Sequence, residues 1–400
     1  MTETIEPPPR IASLDAVRGF AVCGILLMNI VGMGMPAFAY TNPNFYGTEG
    51  IADWATWAIN YVFSDGKMRA LFTMLFGASM VLILERAEAK EGENAAETHY
   101  RRLFWLFVFG MVHAWLIWFG DILVQYAVGG AIAYLFWRWQ PRALWLLFGA
   151  MMAMQLTQFL ESHLLAQAPA MRPPNTAAII AREIRLYRGD FSDVFTARAA
   201  MTIYFQTVLI VKSLPETLGF VALGIIFYRN GFLTGAWSRA AYLRTIALGY
   251  LIAAPLHLPL IWLLVENGFG ARVSSLAEGL GLLLRPFVAL AHAALIILMV
   301  RSGAPRWLAS RLEAAGRMAF SNYLGTSLIT TTLFYGYGFG LFGRLSRAEL
   351  YIVVAGVCAF ILIWSKPWLE RYRYGPLEWL WRTLARGDPQ PMRRSAASVA

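Results

Sequence analysis

The sequence predicts an all-α fold: a polytopic transmembrane helical bundle of about ten spans, with N-terminus and C-terminus both cytoplasmic. Three observations carry this expectation. Of 400 residues, 58% are hydrophobic and only 14% are charged, whereas a soluble domain carries about 25% charge. Apolar stretches of about 20 residues, enough to cross a bilayer, recur along the whole chain. Lys and Arg gather in alternate connectors, as the positive-inside rule requires. Composition therefore sets aside a soluble enzyme, a secreted disulfide scaffold and a disordered chain.

In chain order the stretches are 17–35, 68–85, 103–119, 121–138, 143–160, 204–229, 242–265, 276–300, 318–340 and 350–367. With the N-terminus inside, 22 of the 34 Lys and Arg fall on the cytoplasmic side, Arg10 among them, and 12 outside. Five of those twelve sit in the long 161–200 segment, where the rule weakens. Only Gly120-Asp121 separates the third stretch from the fourth, which implies a very tight turn. One uninterrupted helix over 103–138 would be roughly 54 Å long at 1.5 Å per residue, too long for a single crossing. Residues 201–229 hold Lys212, Pro215 and Glu216. They read either as one kinked span or as an interfacial helix followed by a short span.

The chain thus reads as one integral membrane domain, 1–400, with a cytoplasmic tail at 368–400. Outer loops 36–67 and 161–200 could cap a cavity. The first is rich in Gly, Pro, Asn and Tyr, then amphipathic. The second carries Ala-Pro-Ala at 168–170 and Pro-Pro at 173–174. The 86–102 loop, with Glu91, Glu93 and Glu97, reads as a plain cytoplasmic connector. Arg10, Arg18 and Ala37-Phe38-Ala39 mimic a signal peptide, but the apolar run is long for one and is read as mature sequence. No solenoid repeat is visible.

The net charge is +10, with 34 basic against 24 acidic residues and only four Lys. Basic loops beside spans set topology and touch anionic headgroups, so the expected partner is the lipid bilayer and not nucleic acid. Cys23 and Cys358 fall in apolar runs and form no disulfide framework or CxxC motif. No HExxH, P-loop, GxSxG or convincing metal spacing occurs, so neither a metal nor a bound cofactor is expected. The sequence assigns no oligomeric state.

Charges inside a membrane are costly and need a partner or a task. Asp15 and Arg18, at i,i+3, share a helix face where the first span begins. Asn29 lies three turns further on the same stripe. In Phe63-Ser-Asp-Gly-Lys-Met-Arg69, Ser64 or Asp65 can cap the second span. Asp65 and Arg69 are at i,i+4, and Lys67 and Arg69 then stand at the outer surface, where basic groups suit an anionic substrate. The densest constellation is Gly110-Met-Val-His113-Ala-Trp-Leu-Ile-Trp-Phe-Gly-Asp121. His113 is a candidate general base or proton relay, and Asp121 can orient it and stabilise its charged form. Lys212 and Glu216 can neutralise each other. Asn322 and Ser321 are intramembrane polars facing the bundle, and His257 and His292 read as packing groups.

Several stretches resemble one family. They are Arg10-Ile-Ala-Ser-Leu-Asp15-Ala-Val-Arg18-Gly-Phe, Lys67-Met-Arg-Ala-Leu-Phe-Thr-Met-Leu-Phe-Gly77, the His113 to Asp121 segment, Gly316-Arg-Met-Ala-Phe-Ser-Asn322-Tyr-Leu, and Gly375-Pro-Leu-Glu378-Trp-Leu-Trp-Arg382. Their order from about residue 10 to 386 resembles that of the YeiB-like bacterial membrane proteins, grouped as domain of unknown function 418. The motif Leu14-Asp15-x-x-Arg18-Gly-Phe20 is similar to one that opens transmembrane acyltransferases of the heparan-alpha-glucosaminide N-acetyltransferase type. That resemblance implies acyl transfer from an acyl-CoA-like co-substrate to an acceptor at the outer face, in a multi-pass protein of the bacterial inner membrane. An intramembrane His acts in such transfer, and His113 is the candidate by role. Arg18, Asn29 and Asn322 would line the cavity, and Lys67 and Arg69 would meet a small-molecule acceptor. The alternative is a proton-coupled transporter or permease for a small anionic or amphipathic solute, with His113 and Asp121 as its relay.

Overall fold

The computed structural model describes residues 11–90, 94–165, 175–303 and 305–394, and these fold as helices. Among them there is no strand, only an isolated antiparallel bridge between Tyr372 and Arg393. Arg10, Glu91, Glu93 and residues 168–170 and 173–174 lie outside the described residues.

Helix α1, Ala12–Gly34, opens with Asp15 in its first turn, where the helix dipole favours an acid, and stops before Pro36. Short α2, Ala37–Thr41, precedes α3, Ile51–Phe63, whose start is closed by Asp53 accepting from the backbone of Glu49 and Gly50. A turn through Ser64-Asp65-Gly66 leads into α4, Lys67–Glu88. Helix α5, Ala95–Leu116, is capped by Asn94, and α6, Leu123–Ala133, folds back beside it. Pro141 starts α7, Pro141–Leu165, a position where its missing N–H costs nothing. Then come α8, Thr176–Tyr187, and α9, Phe191–Tyr204, which continues through a π segment into α10, Ile210–Arg229.

Helix α11, Arg239–Ala247, continues through a second π segment and a tight turn into α12, Leu258–Glu266. The longest helix is α13, Ala271–Ser302, followed by α14, Arg306–Arg317, and α15, Ala319–Phe334. A Ser346/Glu349 capping box opens α16, Arg347–Arg371, and amphipathic α17, Pro376–Arg386, is the last helix of the described residues.

Seven helical runs among the described residues are long and apolar enough to cross a membrane. They are Ala12–Gly34, Ile51–Glu88, Pro141–Leu165, Phe191–Arg229, Arg239–Glu266, Ala271–Ser302 and Arg347–Arg371. The remaining apolar stretches fall in α5, in the eleven-residue α6 and in the sixteen-residue α15. One expectation changes, and one pair of alternatives is narrowed. The tight turn expected at Gly120-Asp121 occupies residues 117–122, because Asp121 bonds the backbone of Val124 and starts α6 late. Residues 201–229 form one helical run, not two elements: Pro215 is accommodated in α10 after the π segment has absorbed the register change.

Helix α1 is the central post. Of its apolar window 67% is buried, against 17% for α7 at the rim. It crosses α14 almost backbone to backbone. A Cβ on Gly316 would lie 1.8 Å from the Asp15 carbonyl oxygen, so only glycine permits the approach. Outward faces stay apolar, with Leu146, Leu251, Trp262 and Ile352 exposed. A bilayer, not water, is the solvent that suits such a surface.

Candidate functional site: two polar centres at one depth

The first centre grows from the α3–α4 turn. Gly66 has φ +71, and a Cβ there would meet Arg285 Nε at 2.3 Å. Glycine at this position thus supplies both the left-handed turn and the space for an arginine. Arg285 of α13 bonds Glu216 of α10 at 2.6 Å and Glu278, two turns earlier on its own helix, at 2.8 Å. Arg69 of α4 reaches the other Glu216 oxygen at 3.0 Å. Lys67 is buried, donates to the Tyr61 carbonyl, and sits 5.1 Å from the Tyr61 ring centroid. Three cations, Lys67, Arg69 and Arg285, therefore stand among three carboxylates, Asp65, Glu216 and Glu278. This balance is what lets so many charges share one buried region.

Beside this cluster lies a small, partly open cleft of about 20 Å³ lined by Met28, Val31, Tyr40, Trp57, Asn60, Tyr61, Asp65 and Arg347. Tyr40 is 43% accessible, yet its phenol is enclosed by protein. Burial pushes that phenol well above its usual range, Asp65 adds to the shift, and Arg69 opposes it. Asn60 Oδ1 is buried with no hydrogen-bond partner among the described residues. Arg347 is fixed by Thr48 Oγ1 at 2.9 Å and the Ala39 carbonyl at 2.7 Å.

The second centre is the α5–α6 hairpin. His113 Nδ1 lies 2.7 Å from Asp121 Oδ2, and both side chains are almost fully buried. Asp121 Oδ1 accepts from the Val124 backbone at 2.9 Å, which fixes the carboxylate. With Nδ1–H donating to Asp121, Nε2 keeps its lone pair, and Nε2 has no partner. The rings of Tyr323 and Trp118 flank the imidazole at 5.3 and 6.4 Å between centroids. Trp118 and Tyr40 of the cleft wall both lie beside Gly32 of α1, so the two centres face the same stretch of that helix.

Tyr126 Oη meets Thr73 Oγ1 at 3.1 Å. Asp121 lies in the turn just before α6, and Arg69 in the first turn of α4. Asp121 and Arg69 are therefore toward the same end of these two neighbouring helices.

The other expected residues lie elsewhere. Arg18 bonds Asp15 at 2.8 Å and Ser79 Oγ at 2.8 Å. Ser79 is ten residues beyond Arg69 on α4, roughly 15 Å away by rise. Asn322 gives its amide to the Ala315 carbonyl and Ser365 and accepts from Trp364, so it ties α14, α15 and α16 together. Asn29 is half-buried and joins none of these groups by a hydrogen bond. Lys67 does not stand at the outer surface, because the α3 carbonyl end draws its ammonium inward. Glu216 pairs with Arg69 and Arg285, not with Lys212, which is exposed. His292 bonds Tyr250 Oη and the Phe63 carbonyl, and His257 the Ala253 carbonyl.

Sequence reasoning passed over Glu278, Arg285, Tyr40, Asn60 and Arg347. A signal existed for two of them: opposite charges seven residues apart in an apolar run share a helix face. The others reach the cavity through tertiary folding of connectors, which periodicity does not register.

Comparison with known proteins adds lineage. The family described as a protein of unknown function (DUF418) matches residues 227–388. The uncharacterized protein YxaH of Bacillus subtilis (strain 168) is 32% identical, over 96% of this chain and 96% of its own length. The uncharacterized protein YeiB of Escherichia coli (strain K12) is 32% identical, over 94% and 96%. An uncharacterized 39.9 kDa protein in the amylase 3' region of Bacillus acidopullulyticus is 25% identical, over 94% and 93%.

Proposed function

This chain belongs to the YeiB-like DUF418 family, and from that premise we propose that it is a membrane-bound acyltransferase. It moves an acyl group from an acyl-CoA-like donor to an acceptor at the outer face of the membrane. The observation that carries the reading is the buried His113–Asp121 pair, 2.7 Å apart, with His113 Nε2 left free. A carboxylate on one imidazole nitrogen fixes the tautomer and makes the other nitrogen a base.

In the proposed step, Nε2 takes the proton of an acceptor hydroxyl or amine. The acceptor atom attacks the thioester carbonyl, a C–O or C–N bond forms, and the C–S bond breaks. The imidazolium then returns the proton to the departing thiolate, while Asp121 stabilises the charged ring. Trp118 or Tyr323 swings aside to admit the acceptor. Asp65, Lys67 and Arg69 orient the acceptor's polar groups, and Arg18 takes the donor's polar part from the opposite end of α4. Asn29 lines the donor path, and Asn322 holds α15, and with it Tyr323, in place. The protein is multi-pass in the bacterial inner membrane, with about ten spans and both termini cytoplasmic. The distribution of 22 of its 34 basic residues supports that orientation.

Acyl-CoA binding tests the proposal. Purified protein in nanodiscs is titrated with acetyl-CoA and longer acyl-CoAs, and its melting temperature is followed. A saturable rise is expected, absent with unrelated nucleotides and weakened by Arg18→Ala. A folded sample with no response to any acyl-CoA would refute it. A second reading, proton-coupled transport, draws on the ion network that links α4, α10 and α13 beside a π segment and Pro215. Flux of protons and solute in sealed vesicles, without a new covalent product, would support that reading instead.

A further inference from the structure

Arg198 of α9 is fully buried, and no carboxylate pairs with it among the described residues. Its Nη1 donates to the Ile117 carbonyl at 2.7 Å, whereas Nε and Nη2 have no partner in good hydrogen-bond geometry, the Tyr337 hydroxyl lying beside the guanidinium. Those two atoms form the side fork of the guanidinium, the edge that grips an oxyanion with two parallel bonds. Two further buried donors are close by. Tyr187 closes α8, and Tyr335 follows α15; their rings lie 4.8 Å apart between centroids, and neither hydroxyl has a partner. The Gly336 N–H, bonded to the Tyr187 carbonyl at 2.8 Å, holds the two segments together.

Val194 and Ala197 of α9 pack in the same core cluster as Tyr187 and Tyr335, and the Tyr337 ring lies 5.8 Å from both Phe191 and Tyr335, which brings the Arg198 segment against the two phenols. Glu183 is the nearby acid, but both its oxygens accept from the Ala37 backbone at 3.0 and 3.1 Å. The surroundings are otherwise aromatic, with the Phe191 and Phe195 rings 5.8 Å from the guanidinium and Phe342 stacked on Tyr187. A buried guanidinium fork and two phenol hydroxyls, all donors and all unpaired, are expensive in such a place.

We propose that Arg198, Tyr187 and Tyr335 form a binding site for a small monovalent anion, either a carboxylate or a halide. The anion supplies acceptors for these donor groups and neutralises a buried arginine that has no acid partner among the described residues. The site also touches the catalytic hairpin from behind. Arg198 holds the Ile117 carbonyl, and Thr202 of the same helix holds the Ala114 carbonyl at 3.1 Å. Both flank the last turn of α5, which carries His113. Anion binding therefore stiffens the end of α5, whatever chemistry the hairpin performs.

The test is thermal unfolding of the full chain in nanodiscs, desalted into gluconate and titrated with formate, acetate or chloride at constant ionic strength. Wild type should show a saturable rise in melting temperature with at least one of these small anions. Formate and acetate against chloride distinguish the two sources. In Tyr187→Phe/Tyr335→Phe, and in Arg198→Gln if it folds, half-saturation should move up by at least about tenfold, as loss of charge-assisted bonds implies. A rise that persists unchanged in the double Phe variant would overturn the proposal. So would equal behaviour of wild type in gluconate and in every small anion, which would mean that water alone satisfies these donors.

Discussion

Glu216 is the hub of the ion cluster, and its removal is the sharpest probe of how the bundle holds charge. Its side chain is 7% accessible and accepts from Arg285 at 2.6 Å and Arg69 at 3.0 Å. Glu216→Gln keeps the shape and removes the charge. Arg285, equally buried, is left with Glu278 alone, which is 40% accessible. Breaking a buried pair by deleting one partner costs about 3–5 kcal/mol. Arg69 is 36% accessible and can turn toward the cavity, so its share is small. The expected loss is therefore near the lower end, about 3 kcal/mol. Removing both members of the tightest pair, Glu216→Leu with Arg285→Met, should cost less than the single change, because no buried charge is stranded. Lys212→Ala should stay within about 0.5 kcal/mol, since Lys212 is exposed. Helix content followed through an SDS titration in mixed micelles reads all three. A Glu216→Gln cost under 1 kcal/mol, or a Lys212→Ala cost equal to it, would refute this account of the cluster.

Three further outcomes follow from the same geometry. Asp121→Asn should lower acyl transfer by roughly 10²–10⁴-fold with acyl-CoA binding retained, because the imidazole loses its tautomer and orientation; equal turnover in both proteins would exclude the pair from the chemistry. The Glu183 carboxyl is raised to about 7 by burial, against the opposing Ala37 N–H. The folded state thus binds this proton more tightly than the unfolded chain, and its contribution is present below about pH 4.5 and lost as pH rises to 7, by roughly 1–3 kcal/mol. Melting temperature measured from pH 5 to 8 should fall in wild type and flatten in Glu183→Gln. Glu378 of α17 accepts from the Phe320 and Ser321 backbone at 2.7 and 3.0 Å, capping α15 from a distant segment. Glu378→Ala should cost about 1–2 kcal/mol and speed proteolysis of the 372–394 segment.

Much of this architecture was legible in the sequence. Apolar runs located the long helices, because a span writes its length directly into composition. Asp15 with Arg18, and His113 with Asp121, were readable because each pair is local. Lys67 and Arg69 were singled out as cations at the start of the second span, but Lys67 was misplaced in depth. Their burial depends on Glu216, Arg285 and Glu278, which arrive from helices more than a hundred residues away. The same limit hid Arg198 and Tyr335: nothing local marks an arginine that bonds a carbonyl in a turn 81 residues earlier. Gly66 shows the reverse case. Its residue type is visible, but the reason for it, an arginine packed against the turn, is tertiary.

The central claim is chemical, and one measurement addresses it. Radiolabelled acetyl-CoA is supplied to nanodiscs holding wild type or His113→Ala, together with an acceptor extract from the membrane envelope, and label is traced into product. The account predicts a new labelled product with wild type, none with His113→Ala, and equal acetyl-CoA binding by both. Labelled product formed equally by both proteins, or none formed by a wild type that binds acetyl-CoA, would contradict it.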